Sequence, residues 1–361
     1  MLGQGGFAIT YLARDELERN LAVAVKEFFP EEIVKRGVGD RIALRGSDFA
    51  DDFGYIRRQF LLEGERICGF DHPNLVRGIS LFEQNETAYV VMRYESGSSL
   101  RHHLRVRGTF QVTRSTVAGL LKGMLDGLEY VHRRNWLHCD IKPANVFLGR
   151  DFAPVILDFG AARDKIRQRL FEHSELIVPY TPHYSPIEQD PEARLDLGPW
   201  TDIYQVGALI YRCVSGGKIP ASSERIRGDA YFPLIEFFGS SPDYPRAFLE
   251  AIDWSLSLLP EDRPRSISAW KARLSQPMEE MLRREAEPQT RITKLESPQA
   301  DDDPTPTRRS KRSGDRASGS RKIRPTRKSR RSIPVWQVLL FFLLLAVVVV
   351  LGYVTLLKGA W

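Results

Sequence analysis

Four side chains able to hold a hydroxyl, a phosphate and a hard metal ion lie close together in the sequence. Asp140, Lys142 and Asn145 sit in Leu137-His138-Cys139-Asp140-Ile141-Lys142-Pro143-Ala144-Asn145, and Asp158 opens Asp158-Phe159-Gly160. A carboxylate can take a proton from a hydroxyl while a neighbouring ammonium steadies a moving phosphate, and carboxylate and amide oxygens suit Mg²⁺. The elements that must position them are legible on either side. Leu121, Met124, Leu125, Leu128 and Val131 recur at helical spacing before the loop, while Val146-Phe147-Leu148 and Val155-Ile156-Leu157 read as short strands. A helix, a loop and a hairpin would therefore bring two acids side by side.

The 361 residues allow one large domain or two smaller ones with buried cores. Between Arg308 and Arg331 there are twelve Lys or Arg and one Asp, a local +11 against +6 for the whole chain, so the remainder carries −5. The basic balance thus belongs to one segment and says nothing about the folded part's substrate. Cys68, Cys139 and Cys213 are far apart with no metal-ligand spacing, which disfavours a zinc site or disulfide framework and fits a reducing compartment. No signal peptide is expected at Met1.

The loop and the Asp-Phe-Gly that follows it resemble the protein kinase family. The resemblance implies an α+β, two-lobed kinase fold, with a β-rich amino lobe over 1–95 and a mainly helical lobe over 96–275. Gly3-Gln4-Gly5-Gly6-Phe7-Ala8-Ile9-Thr10 is similar to the family's glycine-rich loop, whose Cβ-free residues let backbone amides approach phosphate oxygens. Gly3 and Gly5 match its first two glycines and Phe7 its tip. Ala8 stands where the third glycine is usual, and Thr10 where a valine is usual. Only Met1 and Leu2 precede the first glycine, so either a start further upstream or a weak sheet edge is expected. Leu21 to Lys26 resembles the family's Val-Ala-Ile-Lys strand, which assigns Lys26 to the α/β-phosphates and Ala24 to the adenine site. Glu63 and Glu65 are both candidates for its partner, and the register into Asp71-His72-Pro73-Asn74 selects Glu63. The charged connection 30–55 is expected to pack outside the core. Met92 is the implied gatekeeper, Glu95 lies in the implied hinge, and Phe147 joins the nucleotide-binding residues.

By resemblance Asp140 orients the hydroxyl and accepts its proton, Lys142 steadies the γ-phosphate, and Asn145 and Asp158 bind Mg²⁺, with Mn²⁺ an allowed substitute. His138 is expected to pack on Phe159, and Asp202 to anchor the loop from beneath. Thr181 is expected against the catalytic loop, and Glu188 to pair with Arg263. Cys139 replaces the arginine that receives an activation-segment phosphate, which a thiol cannot do bidentately. A site assembled without such phosphorylation is the expectation, with a small apolar filler favoured over a redox thiol at Cys139. The implied activity is bacterial serine/threonine protein phosphorylation with ATP. The alternative is a weak or inactive nucleotide-binding scaffold, suggested by Ala8, Thr10, Cys139 and the late start. Retention of Lys26, Glu63, Asp140, Lys142, Asn145 and Asp158 argues against it.

Residues 276–334 are rich in Pro, Ser and charge and read as a disordered basic linker. Val335 to Leu357 is 23 residues without a charge, about 34 Å as a helix, enough to span a bilayer. The basic tract before it predicts a cytoplasmic kinase at the bacterial inner membrane, with 358–361 outside. Protein substrates, ATP, inner-membrane lipid and self-association are the expected partners. Nucleic acid is not, since the tract lacks interleaved aromatics.

Overall fold

The computed structural model describes residues 1–16, 18–106, 113–149, 152–159 and 181–286. The expected Gly160, the basic stretch from Arg163 to Arg169, the segment up to Tyr180, the linker beyond 286 and the apolar segment 335–357 lie outside the described residues. No helix among the described residues is long and apolar enough to cross a membrane.

Five antiparallel strands form the amino lobe in the order β1 (Gly3–Gly5), β2 (Ala8–Asp15), β3 (Leu21–Phe28), β7 (Thr87–Arg93) and β6 (Gly78–Gln84). β1 pairs with Ala8 to Thr10 only, and Leu2 N donates to Thr10 O at 2.7 Å. Beyond Thr10, β2 has β3 as its partner among the described residues. Helix α1 (Ala50–Cys68) lies on the sheet and buries Ile56, Phe60, Glu63, Gly64 and Ile67. A Cβ on Gly64 would meet Val90 Cγ2 at 2.6 Å, so the missing side chain is what brings Glu63 down onto the sheet.

The connection after β3 does not lie outside the core. It forms a hairpin of β4 (Val34–Arg36) and β5 (Ile42–Leu44), and Ile33, Val34 and Ile42 are buried with the amino-lobe apolar residues. Ile42 N donates to Asn85 O at 2.9 Å. Arg36 pairs with the buried carboxylate of Glu27, which also accepts from Tyr11 (2.9 Å) and Tyr89 (3.0 Å). Burial alone would raise the Glu27 carboxyl, but these donors outweigh it and hold it below the ordinary range. The charged composition of the connection hid its function of neutralising an inward strand residue.

The second lobe begins with β8 (Ser98–Ser99) and α2 (Leu100–Arg105). The helix predicted before the loop is α3 (Arg114–His132), capped by Thr113, whose side chain accepts from Thr116 N at 3.3 Å. Its buried stripe contains Leu121, Met124, Leu125, Leu128 and Val131, as the spacing required. β9 (Val146–Leu148) and β10 (Pro154–Ile156) are the predicted hairpin. The central helix α4 (Pro199–Ser215) starts with proline, where no intrahelical donor is lost, and ends at Gly216 in the left-handed conformation (φ 70°). Helix α5 (Arg246–Ser255) packs against it, and α6 (Ile267–Ala286) packs against α3 and α5.

Helix α6 corrects the boundary expected at 275. It continues to Ala286 and buries Leu274, Met278 and Met281, an i, i+4, i+7 stripe. Pro277 lies inside the helix, and the charged residues around the stripe mask its period in the sequence. Lys271 ties the helix to α3 through Asp126 (2.8 Å) and Glu129 (2.9 Å).

Candidate active site

Lys26 is buried on β3, and its Nζ lies 2.9 Å from Asp158 Oδ1 and 3.3 Å from Glu63 Oε1. Glu63, the partner that the register selected, is the one α1 turns inward, while Glu65 is exposed. Lys142 Nζ reaches Asp140 Oδ1 at 2.8 Å and Thr181 Oγ1 at 3.4 Å. Asn145 Nδ2 donates to Asp140 Oδ2 at 2.8 Å and to Asp140 O at 2.9 Å. One amide and one ammonium thus fix the Asp140 carboxylate. Gly3 to Ala8, Thr10, Lys26, Lys142, Asn145, Asp158 and Thr181 line a single cleft of about 390 Å³. The glycine turn over it is tied down by Phe29 N to Phe7 O (2.9 Å), Glu31 N to Gly6 O (3.3 Å) and Gln4 Nε2 to Glu31 Oε2 (3.0 Å). Ala8 is a β2 residue paired with Gly5 and Phe28, where a methyl group is accommodated.

The loop is held from below. Asp202, fully buried on α4, accepts from His138 N (2.9 Å) and His132 Nε2 (2.7 Å) on Oδ2 and from Cys139 N (2.7 Å) on Oδ1. Burial opposes its charge, yet the hydrogen bond and field of His132, with those of His138, hold the carboxyl below the usual range. Three further residues escaped the sequence reading. Gln205 accepts from Ile141 N at 2.7 Å and donates to Cys139 O at 3.0 Å and Gln189 Oε1 at 2.8 Å. Gln189 donates to Cys139 O at 2.7 Å. His132 is the third. The signal for Gln205 was its place three residues after Asp202, on the same helix face. The signal for His132 was its place at the end of the helix leading into the loop.

Cys139 takes the left-handed conformation (φ 63°), as does Asp158 (φ 51°). Such backbone persists only where neighbours fix it, here the bonds to Cys139 N and O. The thiol residue is buried, which removes it from reagents in the folded protein. His138 is wholly buried, donates from Nε2 to Leu157 O (2.9 Å) and accepts Asp140 N–H on Nδ1 (3.1 Å). The bond accepted on Nδ1 requires the neutral ring, and burial lowers its pKa accordingly. Its ring lies 4.6 Å from Phe159, as expected, and Phe159 lies 5.0 Å from Phe70.

Glu188 and Arg263 meet at 2.7 Å with both side chains fully buried, and Thr201 Oγ1 donates to the same carboxylate at 2.9 Å. Of the residues expected around adenine, Ala24 pairs with Met92 across β3 and β7, Met92 is buried, Phe147 pairs with Val155, and Glu95 is half-buried after the end of β7.

The family model for the protein kinase domain matches residues 1–265. The chain belongs to the protein kinase family. It is 26% identical over 226 residues to the serine/threonine-protein kinase PrkC of Bacillus subtilis (62% of this chain, 31% of that protein). It is 28% identical over 218 residues to the inactive serine/threonine-protein kinase PLK5 of Mus musculus (60% and 32%). The solved structure titled "PpkA-294 apo form" superposes with a TM-score of 0.65 at 33% identity, covering 78% of this chain and 93% of that one. The chain spans about a third of the length of these two curated relatives.

Proposed function

We propose that the chain is a serine/threonine protein kinase of the bacterial type, moving the ATP γ-phosphoryl group to protein hydroxyls. The observation that carries this is Lys26 joined to both Glu63 and Asp158 in the cleft that Lys142 and Asn145 line, with Asp140 fixed at its edge. The acceptor oxygen bonds to the γ-phosphorus as the bond to the β,γ-bridging oxygen breaks. ADP leaves with that electron pair, and Asp140 takes the hydroxyl proton. Lys142 balances charge on the transferring group and holds Asp140 in position. Lys26 binds the α- and β-phosphates, and Gly3, Gly5 and Phe7 cover them. Ala24, Met92, Glu95 and Phe147 form the adenine site.

The donor set fits Mg²⁺. Asn145 uses its amide nitrogen on Asp140, so its oxygen is what it offers a cation, and Asp158 adds a carboxylate. A cation held by Asn145 and Asp158 would supply positive charge against the phosphoryl oxygens, and the same donors would serve Mn²⁺.

The scaffold reading is disfavoured because Lys26 contacts both Glu63 and Asp158, and Asp140 is held by Lys142 and Asn145, so these residues are engaged rather than merely retained. Transfer of labelled phosphate from ATP to a protein substrate is expected for the intact chain and lost in Asp140→Asn. Equal incorporation by both would remove the role given to Asp140.

The apolar segment 335–357 and the basic tract before it support a single-pass tether in the bacterial inner membrane with a cytoplasmic kinase. Protease protection in sealed vesicles should leave the kinase end cleavable from the cytoplasmic face and 358–361 shielded; the opposite pattern would reverse the orientation.

A further inference from the structure

Beside the phosphate cleft lies a second hollow of about 560 Å³, lined by Arg101, Leu104, Arg105, Lys142, Pro143, Ala144, Thr181, Tyr184, Arg212 and Lys218. Five of these side chains are cationic and, among the described residues, none of the lining is a carboxylate. Two of the five have internal work. Lys142 holds Asp140, and Arg212 donates to Gly216 O at the end of α4. Arg101, Arg105 and Lys218 sit at exposed positions on the rim. The hollow is bound into the catalytic loop, since Arg101 N donates to Pro143 O at 2.7 Å and Thr181 accepts from Lys142. Whatever occupies it therefore lies within a few residues' reach of the hydroxyl presented to Asp140. Arg101 also borders the phosphate cleft, so the two hollows are continuous.

Arg101, Arg105 and Lys218 have no carboxylate partner among the described residues and repel one another, and the arrangement is relieved by an anion brought in from outside. Leu104, Tyr184 and Pro143 add an apolar floor along which a peptide backbone can lie. A basic acceptor segment would meet only repulsion here.

We propose that this hollow is the substrate subsite and that it selects acceptor segments carrying anionic groups, carboxylate or phosphate, beside the hydroxyl. The inference rests on the kinase reading and adds its substrate class. The chain itself contains a segment of that composition, Asp301-Asp302-Asp303-Pro304-Thr305-Pro306-Thr307.

The test uses the purified full chain in neutral detergent and four peptides that share one serine acceptor and are flanked by Asp, Asn, Arg or phosphoserine. The Asp peptide is expected to exceed the Asn peptide about tenfold in kcat/KM, which is about 1.4 kcal/mol, with the Arg peptide poorest. The preference shrinks as salt rises, because the rim is exposed. Joint replacement Arg105→Glu and Lys218→Glu is expected to move the preference to the Arg peptide, a gain that misfolding could not produce. A phosphoserine peptide better than the Asp peptide identifies phosphate as the preferred anion, and the reverse order identifies carboxylate.

Equal kcat/KM on the Asp and Arg peptides overturns the subsite and leaves the kinase reading standing. Transfer to none of the peptides, with no ATP turnover, removes the kinase reading instead. The subsite is then judged by fluorescence anisotropy of the labelled Asp and Asn peptides. Tighter binding of the Asp peptide, lost in the double variant, supports it, and equal binding overturns it.

Discussion

Replacing Asp202 with Asn should separate the support of the catalytic loop from its chemistry. The carboxylate is fully buried and accepts three donors, His132 Nε2, His138 N and Cys139 N, at 2.7, 2.9 and 2.7 Å. An amide has one acceptor oxygen. Whichever way it turns, its NH₂ faces at least one of these N–H groups. In the better orientation the bonds to His132 and His138 survive as neutral ones and that to Cys139 is lost. A hydrogen bond to a charged group contributes about 1.5–3 kcal/mol and a neutral one about 0.5–1.5 kcal/mol, so the variant should lose about 3–5 kcal/mol. At about 2–4 °C per kcal/mol for a domain of this size, the melting temperature should fall by about 6–20 °C. The loss also releases Cys139 from its left-handed conformation, and Asp140 is the next residue. A displacement of about 1 Å there should lower kcat about 10²-fold. The KM for ATP should move little, because Lys26, Glu63 and Asp158 are anchored by the sheet and α1. Differential scanning fluorimetry beside steady-state kinetics at saturating ATP measures both. A melting temperature within 2 °C of the parent, or an unchanged kcat, would refute the argument that this carboxylate holds the loop.

His138 should make stability depend on pH. Burial lowers its folded pKa, so below the unfolded value of about 6.5 the unfolded chain takes a proton that the native ring refuses. Stability should therefore fall as pH drops, by about 1 kcal/mol between pH 6.5 and 5.5, read as a change in urea midpoint that His138→Gln abolishes. The Asp202 contribution has the other window. Its carboxyl is held below the ordinary 3.8, so it is complete above that value and lost as pH falls through the lower folded one. Arg263→Met should strand the Glu188 carboxylate in the core and cost about 3–5 kcal/mol, while adding Glu188→Gln should recover part of it. If the double variant is no more stable than the single one by chemical denaturation, the stranded charge is not the cause. Phosphatase-treated and fully phosphorylated protein should turn over within about threefold of each other, because Cys139 offers no guanidinium to a phosphate. A loss of an order of magnitude on dephosphorylation would overturn that reading.

The residues of the chemistry were legible in order and type. Asp140, Lys142, Asn145 and Asp158 carry fixed local spacings, and the apolar stripe of α3 and the two short strands around them follow from periods that one stretch of chain contains. The pairing of Lys26 with Glu63 needed the helix register, and its geometry needed Gly64, whose missing Cβ lets α1 approach Val90. What a linear reading missed was compensation between distant groups. Gln205 and Gln189 look like ordinary polar residues until the backbone of Cys139 and Ile141 is brought over them, and Arg36 looks like a loop charge until Glu27 is buried beside it. The end of α6 was missed because Pro277 and its charged neighbours outweigh, in local propensity, an apolar stripe that α3 and α5 reward only after they have packed. Local sequence determined which groups can act, because motif chemistry depends on neighbours in the chain. Tertiary structure decided what holds them in place and gathered Arg101, Arg105, Arg212 and Lys218 around the acceptor site. The unpaired demand of a buried charge or N–H is met by whatever the fold brings near, at any distance in sequence.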